Sequence, residues 1–258
     1  MSRERISMPR QLWRQLYWRV IHPIGSEARF QIATAGDPQK RRTLRLVAPY
    51  TMVGLRRLIN AWDLVKRADS AGLPGAIVEC GVYKGGSSAV MAAASPLRTI
   101  WMFDSFKGLP EPTVLDGPAA HAFAGGHSTG ALRAIDQCVG TLDCVRELFF
   151  EVLRVERGRV EIRPGWFQET LPQARRDIGP IAVLRLDGDW YESTRACLEH
   201  LHDLVVPGGF VIIDDYGYWD GCRRAVDEFL DERRADFQVA VVPVDASAVW
   251  WQVPVRKR

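Results

Sequence analysis

From residue 76 onward, short apolar runs alternate with stretches of helical periodicity, and that alternation confines the chain to a few topologies. Ala76-Ile77-Val78, Thr99 to Phe103, Val160-Glu161-Ile162, Ile181 to Leu186 and Phe210 to Ile213 read as strands. Helices are predicted between them at 87–94, about 131–155, 170–177 and 192–204, and a further one at 221–234. Strands joined through helices run parallel, with helices on both faces of the sheet. Phe237 to Val242 and Val249 to Val253 are too close together for a crossover, so an antiparallel hairpin is predicted at the sheet edge. The fold class is α/β.

Ahead of the sheet, Met52, Leu55, Leu58, Ile59, Trp62 and Val65 recur at the spacing of one helix face until Gly72-Leu73-Pro74-Gly75 stops it. Residues 1–50 read as a helical N-terminal extension and 51–258 as the main domain, a division that suits a chain of 258 residues. In the extension Arg3, Arg5, Arg10, Arg14 and Arg19 interleave with Trp13, Leu16, Tyr17 and Trp18. Its aromatic face is expected to pack on the domain or on a second copy of the chain, so a homo-oligomer is expected. A net charge of +3, spread along the chain, speaks against nucleic acid as a partner. Five cysteines without a CxxC pair suggest neither a zinc knuckle nor a disulfide framework, and a cytoplasmic location follows. No apolar run reaches the roughly 18 residues that stable membrane insertion needs.

Two acidic pairs stand at strand ends: Asp187-Gly188-Asp189 after Leu184-Arg185-Leu186, and Asp214-Asp215 after Ile212-Ile213. In an open α/β sheet, ligands gather beyond the carboxyl ends of the strands, so both pairs face one crevice. Four anions there repel unless a cation joins them. Oxygen-only ligands suit magnesium, calcium or manganese better than zinc. Between the second and third strands, residues 110–130 hold Pro110, Pro112, Gly117, Pro118, Gly125, Gly126 and Gly130. A long loop of this kind is read as a lid over the crevice.

After the first strand comes Glu79-Cys80-Gly81-Val82-Tyr83-Lys84-Gly85-Gly86-Ser87-Ser88, a glycine turn opening a helix of small residues. Its helix N-terminus presents backbone N–H groups to a ligand. Tyr83 stands where a dinucleotide fingerprint requires glycine, so a pyrophosphate is a poor fit. Glu79 at the strand end suits an ammonium or sulfonium-bearing ligand and repels phosphate. Asp104, ending the next strand, suits ribose hydroxyls. Together they indicate a nucleoside amino acid.

Five ordered motifs resemble the macrocin O-methyltransferase family. They are Glu79 to Gly86, Asp104-Ser105-Phe106-Lys107-Gly108-Leu109-Pro110, Pro164 to Pro172, Leu186 to Thr194, and Pro207-Gly208-Gly209 through Asp214-Asp215-Tyr216. The likeness spans about Pro49 to Gln252. It implies a Rossmann-like class I methyltransferase fold with a mostly parallel seven-stranded sheet. It also implies S-adenosylmethionine and Mg2+ as cofactors, and a sugar hydroxyl of a glycosylated natural product as methyl acceptor. On this resemblance Glu79, Gly81, Tyr83, Gly85, Gly86 and Ser87 hold the methionine part, and Asp104, Ser105 and Phe106 the ribose. Gly165, Trp166 and Phe167 hold the adenine side, although the two aromatics fit a packed core equally well. The resemblance also implies that Thr51 and Met52 touch the cofactor.

The same resemblance makes Asp187, Asp214 and Asp215 the magnesium ligands, with Asp187 also beside the cofactor, and Asp189 the general base. His121 and His127 in the lid and Tyr216 after the acidic pair are candidate acceptor contacts, together with Tyr218 and Trp219. Two rival readings stand beside this one. Asp187-Gly188-Asp189 also satisfies the DxD pattern of metal-dependent glycosyltransferases, and a catechol would offer a metal the same neighbouring oxygens as a sugar.

Overall fold

The computed structural model describes residues 30–235 and 237–255, so the aromatic-basic stretch of residues 3–19 lies outside the described residues. The chain divides into two compact units, 1–42 and 43–258. The boundary between them falls inside helix α1 (Pro38–Val47).

The larger unit is built on a seven-stranded sheet of order β3-β2-β1-β4-β5-β7-β6. Its strands are β1 (Ala76–Cys80), β2 (Ile100–Asp104), β3 (Val160–Pro164), β4 (Ile181–Leu186), β5 (Val205–Ile213), β6 (Val242–Pro243) and β7 (Val249–Gln252). The first five are parallel, and β7 and β6 add an antiparallel edge, as the alternation and the final hairpin predict. The chain winds from β1 out to β3, then returns to place β4 on the other side of β1. The crevice between β1 and β4 is therefore the topological switch point.

β1 and β4 are buried along their whole length because helices cover both faces. Ala76, Val78 and Cys80 join the core under α6 (Phe167–Ile178), α7 (Tyr191–Leu201) and α8 (Asp220–Glu232). The strand's period of two turns Ile77 and Glu79 to the opposite face, where α2 (Leu55–Ser70) packs on α3 (Gly86–Ala94). Glu79 is in register with Arg185, which alternates out from between Leu184 and Leu186. Two opposite charges thus meet inside the sheet's buried face.

Three sequence expectations need correction. The helix expected at about 131–155 is a five-residue helix, α5 (Leu142–Arg146), capped by Thr141 and running into a π-helical turn, Glu147–Val152. Asp136 and Cys138 adopt left-handed backbone, and Ile135 and Gln137 hydrogen-bond to Leu109, so 131–140 runs back along the 110 segment and not as helix. The 110–130 loop carries a 3-10 turn, Val114–Asp116, and helix α4 (Gly117–Phe123), and is docked on the domain. The predicted strand Phe237 to Val242 reduces to the two residues of β6, and β5 extends back to Val205 through Pro207-Gly208-Gly209. Among the described residues no helix is long and apolar enough to cross a membrane.

Candidate active site

The glycine turn leaves β1 with Gly81 at φ +89°, Tyr83 at +53° and Gly85 at +91°. A Cβ on Gly81 would collide with the Asp187 carbonyl, so the turn and the end of β4 touch backbone to backbone. Gly86 is also crowded, though less tightly, by Thr51 and the Tyr50 carbonyl, which seats Thr51 and half-exposed Met52 above the start of α3. Gly85 is the N-cap of α3 and no side chain caps it. An uncapped helix N-terminus with left-handed glycine before it is a site for a carboxylate.

Asp104 organises this rim. Its Oδ2 accepts from the N–H of Val82 (2.7 Å) and Tyr83 (2.9 Å), and its Oδ1 from Phe106 N–H (2.7 Å). Of roughly four acceptor positions on a carboxylate, three serve the two turns, so the ribose role expected of Asp104 narrows to what remains. Burial raises its pKa in spite of these bonds. Ser105 Oγ donates to Gly108 O (2.7 Å) and accepts from Lys107 N–H (3.0 Å), so this hydroxyl shapes its own loop. Gly165 N–H donates to Asp104 O (2.9 Å), which sets Trp166 and Phe167, both half-buried, beside the same rim. Phe167 leans on the core, and its ring edge faces Gly188.

Glu79 does not offer itself to a ligand. Its carboxylate is fully enclosed, accepting from Ser88 Oγ and from Arg185 Nη1 (2.5 Å). The direct ammonium contact expected from the sequence is replaced by a buried ion pair behind the turn. Ser87, also buried, lies on the same inner side. Burial raises the Glu79 pKa, opposed by Arg185.

Asp187, Asp214 and Asp215 converge: one oxygen of each lies within 4.8 Å of the others. Two arginines hold this group. Arg185 Nη2 donates to Asp214 Oδ1 (2.6 Å) and Asp187 Oδ2 (3.1 Å), and Arg57 Nη1 to Asp214 Oδ2 (2.6 Å). Arg57 Nε is fixed in turn by Asp245 Oδ2 (2.7 Å), and Ser247 Oγ donates to Asp214 O (2.8 Å), both from the β6–β7 turn. Asp215 Oδ2 is buried with no hydrogen-bond partner. Burial and then the charges of Asp189, Asp187 and Asp214 raise the Asp215 pKa well above the usual carboxylate range. Burial, followed by Asp214, raises that of Asp187. Burial alone would lower the Arg185 pKa, but Asp214, Asp187 and Glu79 outweigh it and hold the guanidinium charged. An orphaned oxygen among hard oxygen donors fits a divalent cation such as magnesium.

Asp189 stands apart from this trio. Its backbone is left-handed (φ +56°), and its Oδ1 accepts from the indole N–H of Trp219 (2.8 Å). Trp219, Trp190 and Phe123 of α4 form an edge-to-face cluster beside it. The expected acceptor contacts fare otherwise. His121 Nε2 bonds Thr113 O (2.7 Å) inside the 110–130 segment, and His127 is largely exposed, with Nδ1 3.8 Å from Glu111. Tyr216 OH donates to Asp227 Oδ1 (2.7 Å) on α8. Sequence reasoning missed Arg57, Arg185, Asp245 and the Trp219 bond. Arg185 alone carried a local signal, a charge between leucines in a strand bound to be buried.

Residues 2–253 match the model of the Macrocin-O-methyltransferase (TylF) family. A relative from Streptomyces olivaceus, 8-demethyl-8-(2,3-dimethoxy-alpha-L-rhamnosyl)-tetracenomycin-C 4'-O-methyltransferase, is 39% identical over 79% of this chain and 75% of its own. Mycinamicin III 3''-O-methyltransferase of Micromonospora griseorubida is 35% identical over 79% and 78%. Among solved structures, the O-methyltransferase NovP aligns with a TM-score of 0.68 at 34% identity, over 80% of this chain and 83% of that one. An O-methyltransferase from Bacillus cereus in complex with S-adenosylhomocysteine shares the fold at a TM-score of 0.55 and 16% identity, over 95% and 97%.

Proposed function

The chain belongs to the Macrocin-O-methyltransferase family and is an S-adenosylmethionine-dependent O-methyltransferase, and from that premise we propose that it methylates a sugar hydroxyl of a glycosylated natural product with a divalent cation. The relative named as the 4'-O-methyltransferase of a rhamnosyl-bearing tetracenomycin supports the sugar acceptor. The observation that carries the cation is the convergence of Asp187, Asp214 and Asp215 around the unpartnered Asp215 Oδ2. The residues present fit magnesium.

The N-terminus of α3, after the Gly81–Gly85 turn, receives the methionine carboxylate of the cofactor, and the Asp104 turns with Gly165-Trp166-Phe167 form the nucleoside side. Asp187, Asp214 and Asp215 would hold the cation, whose chemistry there is to acidify a neighbouring hydroxyl and orient it. Asp189 takes the hydroxyl proton as the oxygen attacks the methyl carbon. The carbon–sulfur bond breaks, its electron pair stays on sulfur, and S-adenosylhomocysteine leaves as a neutral thioether. Trp190 and Trp219, both buried, keep water from this side of the base.

The test is methyl transfer from labelled S-adenosylmethionine to four compounds: a glycoside with adjacent free sugar hydroxyls, its aglycone, a catechol and a sugar nucleotide. The label is expected on the glycoside alone, lost with EDTA and restored by magnesium. Label on the catechol in preference to the glycoside would overturn the sugar acceptor, and full turnover in EDTA would remove the cation. Transfer of the sugar from the nucleotide would revive the DxD reading, against which family membership stands.

A further inference from the structure

We propose that Trp219 is a positioning residue for Asp189, and that Phe123 of the 110–130 segment fixes the indole in that task. The inference rests on Asp189 being the base. Trp219 comes from the loop after the metal carboxylates, its own N–H donating to Asp215 O (3.1 Å), and it reaches across to Asp189 Oδ1 through Nε1 (2.8 Å). A buried indole N–H needs an acceptor. Here that acceptor is the carboxylate assigned to take the proton.

The ring cannot turn away. Trp190 meets it edge-to-face with centroids 4.9 Å apart, and Phe123 does so from the other element at 5.5 Å. Phe123 also touches Trp190, at 6.3 Å, so the three rings brace one another. Trp190 is itself tied by its indole N–H to Pro110 O (2.9 Å), and Asp116 Oδ1 accepts from Tyr191 N–H (2.6 Å). The 110–124 stretch is therefore fastened to the turn that carries Asp189 at Pro110, at Asp116 and through the Phe123 ring. Asp189, on a left-handed backbone, accepts from an indole that is packed between Trp190, Tyr218 (4.7 Å) and Phe123, and of these rings Phe123 is the one that the 110–124 stretch supplies.

The experiment is a double-mutant cycle on the full chain, with kcat and both KM values measured for S-adenosylmethionine and the glycoside. Trp219→Phe keeps the ring and removes the donor. It is expected to lower kcat by roughly 10- to 100-fold, the scale of a misaimed catalytic group, with both KM values unchanged. Phe123→Leu, which leaves the donor but loosens its angle, is expected to lower kcat by a smaller factor. Neither change should lower it further in an Asp189→Asn background. Losses that persist in that background, or that appear in KM with kcat intact, would overturn the positioning role. Full turnover by Asp189→Asn alone would overturn the base reading and this inference with it, whereas an Asp189→Asn slowed to a measurable residual rate beside an unaffected Trp219→Phe sinks only the inference. Should Trp219→Phe fail to fold, Phe123→Leu decides on the same criteria.

Discussion

Arg185 Nη1 lies 2.5 Å from Glu79 Oε1, and the two residues face each other in register across β1 and β4, where neither side chain reaches water. The pair joins the strand of the glycine turn to the strand of the acidic motif, and the same guanidinium bridges Asp187 and Asp214. Removing the cation strands buried anions. Arg185→Met is expected to cost about 3–5 kcal/mol of stability in urea unfolding. Glu79→Gln on top of it should recover part of that loss, because it removes one of the stranded charges. A double variant no more stable than the single one would show that Asp187 and Asp214, and not Glu79, set the cost.

Gly81 is required twice over. Its φ of +89° strains any L side chain, and a Cβ would strike the Asp187 carbonyl. Gly125 has similar backbone (φ +65°) and open space around it. Gly125→Ala is therefore expected to cost about 1 kcal/mol from backbone strain, with cofactor binding unchanged by calorimetry. Gly81→Ala should cost several-fold more in unfolding and abolish S-adenosylmethionine binding, since the α3 N-terminus can only move away from β4. Equal effects of the two changes would leave the close approach without consequence.

Asp215 separates the cation's contribution from the fold's. Its pKa is raised by burial and by three neighbouring carboxylates, so its ionised form destabilises the folded chain when no cation is present. Asp215→Asn is expected to leave the metal-free melting temperature unchanged or higher. The rise that magnesium produces in the native protein should vanish, and magnesium-dependent turnover with it. A variant that melts lower without metal and still gains from magnesium would remove Asp215 from the ligand set.

How much of this was legible follows from the range of each interaction. Strands β1, β2 and β4 and the edge hairpin rest on local pattern, and Asp187, Asp214 and Asp215 were recognisable because strand ends collect at one crevice. The stretch 131–155 misled because its apolar spacing is helical, while its path is set by left-handed Asp136 and Cys138 and by bonds to Leu109. Glu79 and Asp104 carry the acidic character that a ligand site suggests. Their distant partners, Arg185 at a separation of 106 positions and the amides of Val82 and Tyr83, appear only once the sheet registers are known, whereas the Phe106 amide is a local turn bond to Asp104. Trp219 and Asp189 are likewise joined by two loops that no periodicity relates.

His202 provides a pH dependence whose sign is fixed by its surroundings. The imidazole is stacked on Phe237 (4.9 Å), edge-on to Phe229 (5.0 Å) and tilted against Trp251 (6.2 Å), and its Nε2 is buried without a partner. Burial, reinforced by the charge of Arg233 and opposed by Asp203 at 3.9 Å, lowers its pKa from 6.5 to about 4. The unfolded chain therefore binds a proton that the folded chain refuses between those values. The stability that His202 contributes is complete above pH 6.5, falls as pH drops towards 4, and is constant below it. The shift corresponds to about 3 kcal/mol in all, of which about 2 kcal/mol falls between pH 7 and pH 5. His202→Phe keeps an aromatic ring in the stack and removes the titration. Because Asp187 and Asp215, with raised pKa values, act in the opposite sense, the informative quantity is the difference between native protein and variant in urea unfolding at the two pH values. That difference is expected to move by about 2 kcal/mol in favour of the variant on going from pH 7 to pH 5; a difference that does not change with pH would place the His202 ring within reach of water.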